Sequence, residues 1–233
     1  MAYCGQYQMA PVHRTWCPHN VHFNEDHPQW PYPCPFRHCE YHWPGQHCPW
    51  INTLIGDSII KYVNELTDTY VQAYPGAAIQ DIIAKIQRGD IWLSGYRIII
   101  FHVGSNNLHD EHVTVSGMFE AYKKLVYLTR SQNSRAAIVI SEIIPRTYED
   151  QEGLNKRMFV NRAIEYLAKH EQEVYFFRTY RAFTYGLTLW ADRKFFARDG
   201  LHLNRTGTRA LKGSLNGNII TLKGKLREAM RKL

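Results

Sequence analysis

Five short apolar runs, separated by stretches with helical periodicity, limit the folds open to this chain more than any other feature of its sequence. The runs lie in INTLIGD, TYVQAYPG, RIIIFHVG, AAIVISEII and EVYFF, all between residues 51 and 177. RIIIFHVG is apolar almost throughout, which is typical of a central strand that is covered on both faces. Because strands and helices alternate along the chain, the pattern predicts an α/β domain with a mainly parallel sheet and right-handed crossovers.

The helices are predicted between and after these strands. SIIKYVNELTDTY, directly after the first strand, has apolar residues at helical spacing, and AAIQDIIAKIQ places four isoleucines on one helical face. Longer helices are predicted over residues 114–130 and about 153–170. The segment from Asn204 onward is expected to be helical and to end in the basic run KGKLREAMRKL.

The composition changes sharply near residue 50. All five cysteines, seven of the twelve histidines and eight of the ten prolines lie in residues 1–50. Those residues have a formal charge of −1, against +7 for the whole chain, so residues 51–233 carry the positive charge. We therefore predict three parts: a Cys/His/Pro/Trp-rich segment over 1–50, a folded domain over 51–215 and a basic C-terminal helix over 216–233.

Neither a membrane span nor an export signal is predicted. No uncharged apolar run approaches the length that crosses a bilayer. The first residues, MAYCGQYQMAPVHRTW, lack the basic start and apolar core of a secretory signal. We therefore expect an intracellular protein in the cytoplasm.

The segment RDGLHLN places Asp199 three residues before His202. A histidine that acts as a general base needs a carboxylate on one ring nitrogen, while the other nitrogen faces the nucleophile. In open α/β sheets such groups gather at the carboxyl ends of the strands, and the first strand ends in GDS, residues 56–58. Ser58 is therefore the candidate nucleophile. The alternative is that Ser58 only caps the following helix, as serine often does.

Two further strand ends offer hydrogen-bond donors. The second strand runs into YPG, where Gly76, without a side chain, can turn its N–H toward a reacting atom. The third strand ends in GSNN, where Asn106 carries a carboxamide that can donate. Together with the amide of Ser58, these groups would form an oxyanion hole with three donors. Alternatively, Gly76 is a simple turn residue and Asn106 a loop residue bonded to its own backbone.

These residues follow the block pattern of the SGNH (GDSL-type) hydrolase superfamily, which the chain resembles over about residues 51–215. The resemblance implies a flavodoxin-like, three-layer α/β/α sandwich with a central parallel sheet of about five strands. It also implies hydrolysis of a small acyl ester, acetyl or lipid, without a cofactor. The matching residues are Ser58 in GDS, Gly76, Asn106 in GSNN, and Asp199 with His202 in DGLH.

The resemblance also assigns roles to the matching residues. Ser58 is implied to be the nucleophile, His202 the base and Asp199 its orienting carboxylate. Ser58, Gly76 and Asn106 are implied to donate to the oxyanion. One residue departs from the family pattern. In the family the segment that corresponds to GSNN usually reads Gly-x-Asn-Asp, and here it ends in Asn107. We expect the site to keep its geometry despite this change. Whether the hydrolytic activity is lower stays open.

A closer resemblance concerns ISEIIPR, the helix after Gly153, and DGLHLNRTGTRAL. These segments are similar to SGNH domains in the first-open-reading-frame proteins of some vertebrate LINE-like retrotransposons and their domesticated relatives. The basic C-terminus is then expected to contact RNA or an anionic membrane surface, unless it is an ordinary solvated helix face. A second function therefore stays open, that of a non-catalytic SGNH-fold protein that binds nucleic acid or assembles with itself. The oligomeric state is not predicted.

The N-terminal cluster CPFRHCEYHWPGQHC brings cysteine and histidine close together. In a reducing compartment such residues are metal ligands more often than disulfides, and zinc accepts mixed ligands. The spacing matches no zinc-finger pattern, and five cysteines cannot all pair within one chain. Two interpretations stay open, a disordered arm rich in proline and aromatic residues and a structural zinc. Its ligands would be Cys34, Cys39, His42 and Cys48.

Overall fold

A computed structural model describes residues 52–232 of the protein. Within this range the strands are β1 (Asn52–Gly56), β2 (Thr69–Ala73), β3 (Ile98–His102), β4 (Ala137–Ser141) and β5 (Val174–Phe177). All pairings are parallel, and the strands form one sheet in the order β2-β1-β3-β4-β5. This is the flavodoxin-like strand order, so the predicted α/β fold with a five-stranded parallel sheet is confirmed.

Helices flank the sheet between and after the strands. They are α1 (Ile79–Arg88), α2 (Ser105–His109), α3 (Val115–Gln132), α4 (Gln151–His170) and α5 (Arg205–Arg231). Helix α3 contacts both α1 and α4, whereas α5 contacts the 3₁₀ turns at residues 180–183 and 193–195. The long helices predicted from apolar spacing are therefore present, with bounds within two residues of those expected.

The sheet is buried on both faces, as its apolar runs require. The side chains of β3 from Ile98 to Phe101 have no exposed surface, although successive residues of a strand point to opposite faces. On one face Leu54 and Ile100 belong to a buried cluster that also contains Leu215 and Ile219 of α5. Strand β3 is thus the covered central strand that its sequence predicts.

The helix predicted directly after β1 is much longer than the one in the structure, so its predicted length is wrong. Only Ser58–Ile60 is helical, as a single 3₁₀ turn, and residues 61–68 form turns and irregular chain that lead to β2. Glu65 and Asp68 have φ angles of 51° and 47°. These left-handed values cannot continue a right-handed helix.

Contacts with α5 explain why this segment does not follow its local periodicity. The amide of Thr67 donates to Asn216 Oδ1 at 2.9 Å, and Lys223 Nζ donates to Asp68 Oδ2 at 2.7 Å. Leu66 is buried in the cluster beneath α5. Tertiary packing therefore replaces the helical hydrogen bonds that the sequence alone would favour.

Helix α5 runs without a break through residue 215, where the sequence places the end of the folded domain. Leu222, beyond that position, is 3% exposed and belongs to the same cluster as Leu54 of β1. The apolar side of the basic C-terminal helix is therefore part of the sheet's core.

Candidate active site

Ser58, His202 and Asp199 meet at the carboxyl edge of the sheet. Ser58 follows β1, and His202 lies in the loop before α5, 144 positions further along the chain, yet Ser58 Oγ is 3.0 Å from His202 Nε2. His202 Nδ1 is 2.8 Å from Asp199 Oδ2. Because a carboxylate can only accept, Nδ1 carries the proton and Nε2 is left to accept from the serine hydroxyl. The three residues thus stand in the order hydroxyl, imidazole, carboxylate.

The loop around Asp199 holds its carboxylate in place. Asp199 Oδ1 accepts from the amides of Leu201 and His202, both at 2.9 Å. The side-chain hydrogen bond from His202 lowers the pKa of Asp199. The side chains of His202 and Asp199 are 44% and 51% exposed, so molecules from solvent can reach this pair.

Asp57, and not Ser58, caps the 3₁₀ turn after β1. Asp57 Oδ1 accepts from the amide of Ile59 at 3.0 Å, whereas the hydroxyl of Ser58 faces His202. The interpretation of Ser58 as a helix cap is therefore wrong. The capping role of Asp57 was not among the predictions, although aspartate is a preferred capping residue and its place before the turn is a sequence signal for it.

The surroundings of Asp57 are tightly packed. A Cβ at Gly56 would lie 2.0 Å from the carbonyl oxygen of His102, so the close approach of β1 and β3 requires glycine there. Asp57 has no exposed surface. Burial raises its pKa to about 6, while backbone hydrogen bonds and the charge of His202 lower it. A buried carboxyl group with a raised pKa therefore lies directly before the candidate nucleophile in the chain.

A hydrogen bond joins Asn106 to the residue that follows Gly76. Gly76 has a φ of 79° in a turn that is closed by the amide of Ala77 donating to the carbonyl of Tyr74 at 3.0 Å. This positive φ favours glycine. Asn106 Nδ2 donates to the carbonyl of Ala77 at 2.9 Å. This bond uses one of the two N–H groups of Asn106 and ties α2 to the turn that contains Gly76.

Asn107 links the same two segments. It is 3% exposed, its Oδ1 accepts from the amide of Ile79 at 2.9 Å, and its Nδ2 donates to Gln80 Oε1 at 2.8 Å. The carboxamide therefore uses its acceptor and its donor at the first turn of α1. Asn107 holds α2 against α1, and its effect on activity stays a prediction.

His102 forms a buried pair with Ser141 at the ends of β3 and β4. His102 Nδ1 is 2.9 Å from Ser141 Oγ, and the two side chains are almost fully buried. Burial lowers the pKa of His102 to about 4. Because neither group reaches the surface, the pair contributes to the packing at the ends of β3 and β4.

The predicted zinc ligands Cys34, Cys39, His42 and Cys48 lie outside the described residues, as does the whole segment 1–50. Between residues 52 and 232, no group of three or more His, Cys, Asp or Glu side chains is placed to hold a metal ion.

None of the helices between residues 52 and 232 combines the length and the apolar character that a membrane span requires.

No protein-family model and no curated protein sequence matches the chain. Solved structures do match it. A GDSL-like lipase from Bacteroides thetaiotaomicron is 14% identical, with a TM-score of 0.63 over 74% of this chain and 89% of that one. A carbohydrate esterase family 3 protein from Talaromyces cellulolyticus is 20% identical, with a TM-score of 0.58 over 74% of this chain and 97% of the other.

The esterase domain of a zebrafish retrotransposon ORF1 protein is 21% identical and covers 73% of this chain and 98% of its own, with a TM-score of 0.40. That overlap is too loose to support an argument, so the resemblance to retrotransposon esterases stays a prediction. At these identities the likeness to the lipase and to the carbohydrate esterase is one of fold.

Proposed function

We propose that this chain, which has the fold of the SGNH/GDSL esterases, is a serine esterase that cleaves a small acyl ester through an acyl-serine intermediate. The observation that carries the proposal is the 3.0 Å separation of Ser58 Oγ and His202 Nε2, with Asp199 at 2.8 Å on the other ring nitrogen. A hydroxyl, an imidazole and a carboxylate in this order make serine a nucleophile.

The proposed reaction proceeds in two stages. His202 Nε2 takes the proton of Ser58 as the hydroxyl attacks the ester carbonyl, and Asp199 stabilises the imidazolium that results. The tetrahedral oxyanion receives hydrogen bonds from the amides of Ser58 and Gly76 and from Asn106 Nδ2. The alcohol leaves with the proton from His202, and water activated by the same imidazole releases the acid. Every catalytic group in this scheme is a side chain or a backbone amide of the protein, so the proposed reaction needs no cofactor.

The proposed substrate is an ester with an acetyl or lipid acyl group. The fold is shared with a protein described as a carbohydrate esterase and with one described as a GDSL-like lipase. His202 and Asp199 are half-exposed, so the site is open to an ester of a carbohydrate or of a lipid alcohol.

A second candidate function rests on the basic surface of α5. Lys212 and Lys223 are paired with Glu65 and Asp68, and they fasten the helix to the segment before β2. Five other cations of α5 are exposed: Arg205, Arg209, Lys225, Arg227 and Arg231. A cationic helix face of this kind attracts phosphate-rich partners such as RNA, or anionic membrane surfaces.

Labelling with a fluorophosphonate probe tests the esterase proposal directly, because such probes react with a serine that a neighbouring base activates. We expect a single adduct on the peptide that contains Ser58, located by mass spectrometry, in folded protein and not in heat-unfolded protein. An unlabelled Ser58 together with strong, salt-dependent RNA binding would instead favour the binding function.

Asn106→Ala is expected to lower kcat for 4-nitrophenyl acetate by about 100- to 1,000-fold, because it removes one donor to the oxyanion. The measurement is initial-rate kinetics at saturating ester. Asn155→Ala, at an exposed position of α4, is the matched control and should behave as the unchanged protein. A loss of less than about threefold in the Asn106 variant would remove its side chain from the oxyanion site.

A further inference from the structure

We propose that Arg146 forms an anion-binding subsite beside the catalytic loop, and that the preferred esters of this protein carry a carboxylate or phosphate group. This inference rests on the proposed esterase function for its substrates. Its basis is a buried guanidinium group whose Nε has no hydrogen-bond partner among residues 52–232, one residue before Thr147, which contacts the loop of Asp199 and His202.

Arg146 lacks the partners that a buried arginine normally has. The residue is 6% exposed, and its Nε is buried without a hydrogen-bond partner among residues 52–232. The carboxylate of Glu149 lies 3.9 Å from that Nε, which is too far for a hydrogen bond. Buried donors without acceptors are costly, so this guanidinium is suited to an acceptor supplied from outside.

Glu149 is already used by a second buried arginine. Arg157 Nε lies 2.9 and 3.0 Å from the two carboxylate oxygens of Glu149, and Arg157 Nη2 donates to the carbonyl of Leu189 at 3.0 Å. The Nη1 of Arg157 is also buried without a partner in the described part of the chain. Two buried guanidinium groups therefore lie beside the carboxylate of Glu149, while Glu142 also interacts electrostatically with Arg157. Within residues 52–232 each arginine still has at least one N–H group without an acceptor.

This charge lies against the catalytic loop. The amide of Thr147 donates to the carbonyl of Gly200, between Asp199 and His202, at 2.9 Å. A Cβ at Gly200 would lie 2.0 Å from Thr147 Oγ1 and 3.1 Å from the ring of Tyr148. Thr147 and Tyr148 thus lie against the loop between Asp199 and His202, directly after Arg146 in the chain.

Tyr148 supplies the open side of the subsite. Its ring is 50% exposed, and the guanidinium carbon of Arg146 lies 5.4 Å from the ring centre. This cation–π contact holds the arginine beside a solvent-facing aromatic surface. A ligand that rests on the ring can therefore present an anionic group to the guanidinium edge.

Arginine recognises particular ligand groups. Its planar fork matches carboxylate and phosphate oxygens and can bind them in a bidentate manner. A neutral ester would leave the donors of Arg146 without acceptors, whereas an ester with an anionic group would satisfy them. The subsite therefore predicts discrimination between anionic and neutral esters of otherwise equal shape.

The experiment compares kcat/KM for four phenyl esters. Phenyl acetate is neutral, 4-acetoxybenzoate and 4-acetoxyphenyl phosphate carry the anion on the alcohol side, and monophenyl succinate carries it on the acyl side. Each rate is divided by the uncatalysed rate of the same ester. We expect at least one anionic ester to exceed phenyl acetate by about 10- to 100-fold, the range for hydrogen bonds to charged groups.

Variants assign that preference to Arg146. In Arg146→Gln the ratio of anionic to neutral kcat/KM is expected to fall to near one, because the charge is lost. In Arg146→Lys the ratio should fall only partway, because lysine keeps the positive charge but lacks the planar guanidinium group. Arg162→Gln, which removes an exposed arginine of α4, is the matched control and should keep the original ratio.

A binding measurement tests the subsite without turnover. Inorganic phosphate and succinate are each expected to raise the Tm of the unchanged protein and of Ser58→Ala, to raise that of Arg146→Lys by less, and to leave that of Arg146→Gln unchanged at the same concentrations. Stabilisation by phosphate alone would identify a phosphate-bearing ester, and by succinate alone a carboxylate-bearing one. If no ester is cleaved, the esterase proposal fails, while this measurement still decides the subsite.

Two results would overturn the subsite. One is an equal preference for anionic esters in the unchanged protein and in both Arg146 variants. The other is a protein that neither anion stabilises and that cleaves no anionic ester faster than phenyl acetate.

Discussion

Ser58→Ala is expected to lower kcat for 4-nitrophenyl acetate by about 10⁴-fold or more, to the level that ester binding alone supports. The hydroxyl lies 3.0 Å from the imidazole that would take its proton, and alanine offers no nucleophile in its place. The fold should persist, because Asp57 and not Ser58 caps the 3₁₀ turn after β1.

The measurement is steady-state kinetics with a matched serine control. Ser116→Ala removes a hydroxyl from an exposed position of α3 and should leave turnover unchanged. The Tm of both variants should stay within a few degrees of that of the parent protein. If Ser58→Ala still hydrolyses the ester at the parental rate, another residue is the nucleophile and the proposed mechanism is wrong.

Asp199→Asn is expected to lower kcat by about 10⁴-fold although the substitution is nearly isosteric. Asp199 Oδ1 accepts two backbone amides, those of Leu201 and His202, at 2.9 Å each. The oxygen of an asparagine would have to stay at this position, because only an acceptor can serve both amides. Its NH₂ group would then face His202 Nδ1.

That exchange reverses the tautomer of His202. Nδ1 would accept from the asparagine, so the ring proton would move to Nε2, the nitrogen that faces Ser58 Oγ. A protonated Nε2 cannot take the proton of the serine. The imidazole would keep its place and lose its function as a base.

Kinetics with a matched aspartate variant test this prediction. Asp192→Asn changes the cap of the neighbouring 3₁₀ turn at residues 193–195 and should leave kcat within about threefold, since it is outside the proposed site. Fluorophosphonate labelling of Asp199→Asn should slow in parallel with turnover. Normal turnover in Asp199→Asn would mean that the carboxylate does not set the tautomer of His202.

The sheet could be predicted because its strands carry their own signal. The central strands β3 and β4 are mostly apolar runs that are buried along their whole length, and burial on both faces demands such a run. The helix after β1 could not be predicted correctly, since Glu65 and Asp68 adopt left-handed backbone angles under contacts from α5. Those contacts come from a helix about 150 positions away, which a local pattern does not contain.

The candidate site divides in the same way. Ser58, Asp199 and His202 could be picked out because Ser58 directly follows a predicted strand and Asp199 stands three residues before His202 in the sequence. The amide links made by Asn107 and the unpaired Nε of Arg146 could not. Each depends on which groups lie within about 3 Å in space, and hydrogen-bond satisfaction is a property of the folded surroundings.

By itself the sequence determined the periodicities that select parallel strands and amphipathic helices, and it supplied the hydroxyl, the imidazole and the carboxylate. The tertiary structure decided that a side chain after β1 meets one before α5 across 144 positions at 3.0 Å. It also decided that two buried arginines share one carboxylate. The physical reason is the distance along the chain over which each effect acts. Backbone preferences depend on a few neighbouring residues, whereas burial and pairing of polar groups depend on the packing of residues that are far apart in the sequence.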